Sequence, residues 1–196
     1  MKIIVIDGQG GKMGHAVIVQ LKKSHPELEI TAIGTNSIAT SSMLKAGADA
    51  GATGENPVVV ASRSADIIIG PIGIVIPNSL LGEITPVMAE AIGSSQAKKI
   101  LIPVNKCNHY VVGCEELPLS VYIGQVVAQV ELLTVKYEAR KLIHKNGGGL
   151  ADHNTCQAAA ICITMHFVSK SLLLFFLLLA AQHCKCCQQE SGQQCC

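Results

Sequence analysis

A chain of 196 residues, 49% of them hydrophobic, carries ample material for one or two buried cores. Its 15 Lys and Arg against 14 Asp and Glu leave no electrostatic footprint for DNA or RNA, and 3% aromatic residues with no Trp offer no platform on which bases could stack. Nucleic acid is therefore not an expected partner.

The first informative stretch is Ile3 to Gly14, IIVIDGQGGKMG. Ile3 to Ile6 are apolar and mostly β-branched, which reads as a buried strand; the pattern breaks at Asp7 to Gly11 and restarts at Lys12 as an amphipathic helix. A glycine turn between a strand and a helix N-terminus lets the backbone approach a ligand closely. Free N–H groups and the positive end of the helix dipole then point at it, and the natural guest is a phosphate. As GxGxxG the motif fails, because Met13 stands where the third glycine belongs. As GxxGxMG it is whole, with Gly8, Gly11, Met13 and Gly14. Asp7 is a misfit beside a phosphate unless a cation or a hydrogen-bond network neutralises it. Its plainer role is to accept hydrogen bonds from its own loop; the alternative is a Mg²⁺-linked or ligand-facing one. Only four apolar residues lie between Lys2 and Asp7, too few for a signal-peptide core, so a cytoplasmic location is expected.

The first helix is predicted over Lys12 to Ser24. Met13, Ala16, Val17 and Leu21 share a face, Lys22 and Lys23 suit its C-terminal end, and His25 and Pro26 stop it. His15 reads as a solvated first-turn residue. The second strand spans Glu29 to Ile33. An NAD-binding chain usually places an acid about 20 residues past the glycines to hold the ribose hydroxyls. Here that position holds Gly34, Thr35 and Asn36, with neither an acid nor an adjoining Arg or Lys. Thr35, Asn36 and Ser37 can still hydrogen-bond a ribose or phosphate, so no strong preference between NAD and NADP is expected.

A short helix follows over Ser37 to Ala46, closed by Gly47, and Asp49 to Thr53 is a weak third strand. Asn56 and Pro57 read as the N-cap and first position of another short helix. Asp66 to Ile69 is a buried strand. Gly70, Pro71, Ile72 and Gly73 leave its C-terminal end, where parallel sheets bind ligands, and form either a tight connection or a wall of the crevice opposite the glycine loop. Thr85 caps a helix with Pro86 at its first position, Met88, Ala89 and Ile92 facing inward, and Gly93 ending it. Lys99 to Pro103 is the last strand.

Val104 to Asn108 leave the same sheet edge. Lys106 could pair with an anion, and Cys107 is either a nucleophile with a lowered pKa or a half-buried small hydrophobe. Cys107, His109 and Cys114 form CxHx4C, which lacks a fourth ligand, so no metal site is expected. Leu119 to about His144 is helical, with Val126, Val130, Leu133 and Tyr137 three or four apart.

Gly147 to Gly149 mark a break, beyond which composition changes. Residues 150–196 hold seven of the nine cysteines, the run SLLLFFLLLAA and the end CKCCQQESGQQCC. The apolar run from Leu172 to Ala181 falls short of the roughly 20 residues that span a bilayer, and its cysteines lack the spacing of a closed zinc site.

Two resemblances sit on these motifs. GQGGKMG resembles the loop of the dihydrodipicolinate reductases, a nicotinamide-dependent family, over the first βα unit alone. DGQGG at Asp7 to Gly11, GTNSIAT at Gly34 to Thr40, LKAGADAGATGEN at Leu44 to Asn56, ADIIIGPIGI at Ala65 to Ile74 and KKILIPVNKCN at Lys98 to Asn108 are similar to the uncharacterised bacterial domain-of-unknown-function family numbered 3842. That similarity runs to about Leu133. It implies a small cytoplasmic Rossmann-like domain and brings no activity with it.

The expected fold is α/β, a Rossmann-like parallel sheet with helices on both faces over residues 1–145. Residues 146–196 are expected to be a low-complexity, unstructured or poorly structured Cys- and Leu-rich tail rather than a domain. The expected function is binding of a phosphate-bearing ligand, a nucleotide or dinucleotide such as NAD(P), in a crevice formed by Gly8, Gln9, Gly10, Gly11, Met13, Thr35, Asn36, Gly70, Pro71, Ile72, Asn105 and Lys106. A homodimer would supply the second half of an oxidoreductase site. The alternative is a non-catalytic metabolite sensor or interaction domain using the same crevice, and no membrane partner is expected.

Overall fold

A computed structural model of the protein describes residues 1–103, 111–114 and 116–145, with side chains through Lys141. The expectations for Asn105, Lys106, Cys107, Asn108, His109 and the tail lie outside the described residues.

Five parallel strands form one sheet in the order β3-β2-β1-β4-β5: β1 (Ile3–Asp7), β2 (Ile30–Gly34), β3 (Ala50–Thr53), β4 (Ile67–Pro71) and β5 (Lys98–Ile102). The two central strands, IIVID and IIIGP, are buried along their whole length, as near-continuous apolar runs must be when both faces of a parallel sheet are covered. β3, written AGAT, is largely exposed at one edge. Ile3 pairs with Ile30 on one side of β1 and with Ile67 on the other. The chain therefore builds the sheet outward from β1 in one direction, then crosses back to build the other half.

Helices α1 (Lys12–Ser24), α2 (Ser37–Lys45), α3 (Glu55–Ser62), α4 (Pro86–Ser94) and α5 (Leu119–Lys145) follow the strands in order, with a 3₁₀ turn at Ile72–Val75. α1 buries Gly14, Val17, Ile18 and Leu21, while α2 buries Ala39, Thr40 and Met43. On the other sheet face Ile4, Ile6, Ile33 and Ile68 form one cluster with Val58 of α3, Ile74 and Ile84 of the connection after β4, and Met88, Ala89 and Ile92 of α4. Successive strand residues point to opposite faces, so the same isoleucine-rich strands feed both layers. Residues Met1–Leu132 form one compact unit. Within it, α5 buries Ile123 together with Val126 and Val130, the first two members of the expected stripe. No helix among the described residues is long and apolar enough to cross a membrane.

Local chemistry explains where the elements begin and end. Thr85 accepts from the Met88 N–H at 3.1 Å and Pro86 occupies the first helical position, as predicted. α4 runs past Gly93 to Ser94, however, with Ser95 as its C-cap. The predicted N-cap of α3 is also displaced: Gly54, at φ 101°, precedes Glu55, so Asn56 and Pro57 lie inside the first turn. An acid at Glu55, in the first turn, suits the positive helix end. Gly70 and Pro71 continue β4, paired with Leu101 and Ile102, and the chain leaves the sheet only at Ile72.

Candidate functional site

The carboxyl ends of β1 and β2 close side by side, with Asp7 opposite Gly34 in the register and the Thr35 N–H donating to the Asp7 carbonyl at 3.0 Å. This edge lies next to β4, where the order of strand building reverses and the first helix begins. It is the place where an open parallel sheet presents ligands with loop backbone and helix N-termini together.

The glycine loop has a definite internal architecture. Asp7 is buried, and both of its oxygens are used: Oδ1 accepts from the Gly8 N–H and Oδ2 from the Gly14 N–H, each at 2.8 Å. The plainer of its two expected roles is the observed one. Burial pushes the Asp7 carboxyl up from its ordinary value, while the amides of Gly14, Gly8 and Met13 pull it down and the charge of Glu83 pushes it up further. The turn tightens through a Gly11 N–H to Gly8 carbonyl bond of 2.9 Å, and Gly11, at φ 64°, sits where α1 starts without any side-chain cap.

The loop's glycines answer different demands. A Cβ on Gly11 would lie 2.7 Å from backbone atoms of Ala39 in α2, and one on Gly14 would lie 2.4 Å from Met43 Sδ. Those two glycines let α1 and α2 approach each other. A Cβ on Gly70 would lie 2.4 Å from the Ile6 carbonyl, so that glycine serves the sheet. Gly10 is different: a Cβ there would meet only Lys12 Cγ, at 4.0 Å.

Above the loop stands a residue that the sequence reading missed. The Glu83 Oε2 accepts from the Gln9 N–H at 2.7 Å, from Asn36 Nδ2 at 3.1 Å, and from the Thr35 hydroxyl. Three donors from two loops thus converge on a single oxygen. Burial raises the Glu83 carboxyl, but the hydrogen bonds from Thr35, Gln9 and Asn36 together outweigh it and hold the pKa below the usual value. Asn36 also donates to the Gln9 carbonyl at 3.0 Å and caps α2 by accepting from the Ala39 N–H at 2.9 Å, which fixes its amide in place.

Glu83 arrives on an unusual loop. Asn78, Leu80, Leu81 and Gly82 have φ of 63°, 53°, 60° and 87°, all left-handed. For the two leucines that conformation costs about 1–2 kcal/mol each. The loop is held by the Asn78 N–H donating to the Ile84 carbonyl at 2.7 Å and by the Ser79 hydroxyl donating to the Gly73 carbonyl. Leu80 reaches the core cluster, whereas Leu81 is 94% exposed. The segment from Ile76 to Ile84 folds over Gly8, and its Leu80 and Glu83 occupy the space that the glycine leaves.

Sequence gave a usable clue to Glu83. It is the sole charged residue between Asp66 and Glu90, in a connection that leaves the ligand-binding edge of the sheet. Residues from the glycine loop and from Thr35 and Asn36 are brought together as expected. Met13 is half-buried, and His15, expected in solvent, is also half-buried and donates from Nδ1 to the Ser42 carbonyl at 2.8 Å. Two cavities lie elsewhere. One of about 250 Å³ sits at the amino ends of β1 and β2 beside Lys2, Thr31 and Ala65, and one of about 510 Å³ lies between β5 and the start of α5 beside Cys114 and Tyr122. Among the described residues no group of three or more His, Cys, Asp or Glu is arranged to hold a metal ion.

The model of the family described as Domain of unknown function (DUF3842) matches residues 2–134, and the chain belongs to that family. No curated protein matches the chain. Among solved structures it is similar to the dodecameric FMN-dependent UbiX-like decarboxylase from Escherichia coli O157:H7, at 15% identity over 66% of this chain and 75% of that chain, with a TM-score of 0.37.

Proposed function

We propose that this member of the DUF3842 family binds a phosphate-bearing small molecule, a nucleotide or a dinucleotide such as NAD(P), over the Gly8 to Gly14 loop. The observation that supports the reading is Gly10. Gly8, Gly11 and Gly14 each lack a side chain because neighbouring protein atoms fill the space, but at Gly10 that space is open and the backbone is reachable from outside. A glycine that internal packing does not demand, beside the uncapped start of a helix, suits close approach by a ligand oxygen.

In this reading Gly8 and Gly11 shape the turn, and Gln9, Gly10 and Met13 present the loop to the phosphate. Thr35 and Asn36 reach its ribose or phosphate oxygens from the neighbouring edge. Gly70, Pro71 and Ile72 back the crevice, and Asn105 and Lys106, outside the described residues, are assigned to it from the sequence alone. The binding step is common to a nucleotide-dependent enzyme and to a metabolite sensor.

The test is a thermal-shift screen of nucleotides, NAD(P)(H), FMN and phosphate esters, repeated with Gly10→Val. A Cβ at this position meets only Lys12 Cγ, at 4.0 Å, so Gly10→Val keeps the fold yet covers the loop, and ligand-induced stabilisation disappears. A ligand whose affinity is unchanged by Gly10→Val sits elsewhere, and the reading is then wrong.

A further inference from the structure

We propose that the three donors now gripping Glu83 are the phosphate subsite of the glycine loop, and that Glu83 is a tethered carboxylate that must leave before an anionic ligand can enter. The proposal rests on the loop reading above and adds regulation of that same site. Its basis is the donor set. A backbone N–H from Gln9, a hydroxyl from Thr35 and an amide from Asn36 all reach one oxygen, which is how a phosphate oxygen is held. No Lys or Arg pairs with Glu83 among the described residues. Among the described residues the anion is held by neutral dipoles, so exchanging one anion for another breaks no ion pair there.

Geometry makes simultaneous occupancy impossible. The Glu83 oxygen lies 2.6 Å from the position a Cβ of Gly8 would take, flush against the turn, and a phosphate seated on the same amide would meet a like charge at contact distance. Withdrawal of Glu83 gives up the Glu83 N–H to Leu80 carbonyl bond of 3.3 Å and leaves the bond between the Asn78 N–H and the Ile84 carbonyl in place. Ile84 is buried and Thr85 caps α4, while Leu81 and Gly82 immediately before Glu83 are exposed and left-handed. Rotation about Gly82 withdraws the carboxylate and leaves Ile84 seated.

The experiment measures binding of inorganic phosphate and of AMP to the full chain by calorimetry, alongside ¹⁵N spectra in which the Gln9 amide reports occupancy, for the wild type, Glu83→Ala and Glu83→Gln. Removal of the competing carboxylate tightens binding of both probes at least tenfold in Glu83→Ala, and addition of either probe shifts the Gln9 amide. Glu83→Gln, which keeps the shape and loses the charge, lies between the two and decides the matter should Glu83→Ala fail to fold. Wild-type binding that Glu83→Ala leaves unchanged or weakens overturns the competitor role while sparing the loop reading; weakening is the result expected if Glu83 itself grips the ligand's hydroxyls. A Gln9 amide that neither probe moves in any of the three proteins overturns both.

Discussion

The backbone N–H of Gln9 donates to the carboxylate of Glu83, which lies 74 residues further along the chain, at 2.7 Å. This bond fastens the connection after β4 onto the loop after β1, across the boundary between the two halves of the sheet. Its strength depends on Glu83 being ionised, because a charged acceptor holds an amide about twice as firmly as a neutral one.

The first prediction follows from that dependence. The folded-state pKa of Glu83 is lowered, so its contribution to stability is fully present above the unfolded value of 4.5 and is lost as pH falls through the folded value. Asp7 has the opposite sign. Its folded pKa is raised above 3.8, so its ionisation subtracts stability as pH climbs from 3.8 through the raised value. In ¹⁵N spectra the Gln9 amide therefore titrates with a midpoint below 4.5, and the Gly14 amide with one above 3.8. A Gln9 midpoint at or above 4.5 means that burial outweighs the three donors.

Asp7 supplies the second prediction. Its two oxygens are the acceptors for the buried amides of Gly8 and Gly14, and Asp7→Ala leaves both without partners. Each orphaned buried donor costs about 1–3 kcal/mol. Urea unfolding should show a loss on that scale, with the sheet's circular dichroism retained. A variant as stable as the wild type would show that water takes over both bonds.

Two neighbouring glycines give the third prediction. Gly11→Ala places a methyl 2.7 Å from α2 backbone in a left-handed turn, where the backbone term alone costs about 1–2 kcal/mol. Gly10→Ala meets nothing but a lysine methylene, and its effect stays within about 0.5 kcal/mol. Thermal unfolding of the pair separates them. Equal destabilisation would mean that the turn as a whole, rather than the approach of α2, sets the requirement for glycine.

The fourth prediction concerns the end of the chain. Deleting residues 147–196 removes seven cysteines and the SLLLFFLLLAA run, and the sheet elements all precede the cut. The thermal midpoint stays about the same and solubility rises. Loss of folding on deletion, or membrane partition of the full chain alone, would make the segment a working part of the protein.

Much of the fold was legible because apolar periodicity and caps act locally. The bounds of α1 follow from the glycines before it and His25–Pro26 after it, and the isoleucine runs of β1 and β4 admit no reading but buried strands. The cap of α3 was misplaced because Asn56 and Gly54 both suit an N-terminus, and only the observed φ of 101° at Gly54 decides between them. Glycine pattern located the loop but did not sort its members, since whether a missing Cβ serves a helix, a strand or a ligand depends on what lies opposite. Glu83 was overlooked for a related reason. Its partners Gln9, Thr35 and Asn36 are 74, 48 and 47 residues away, and no spacing rule connects an exposed-looking acid in a turn to an amide at that range.

The central position of β1 has a consequence for how the protein is made. This strand emerges from the ribosome before the other four, and it can pair with β2 as soon as Gly34 is available, but its other edge waits for β4, which ends at Pro71. At ordinary elongation rates of about 5–20 residues per second, that edge stays open for roughly 2–7 s. During that interval an isoleucine-rich edge that will be the middle of the finished sheet is an unpaired template for other nascent chains. Codon changes that slow translation between the emergence of Gly34 and that of Pro71 from the ribosome should therefore lower soluble yield more than equal slowing once Pro71 has emerged and the strand is enclosed.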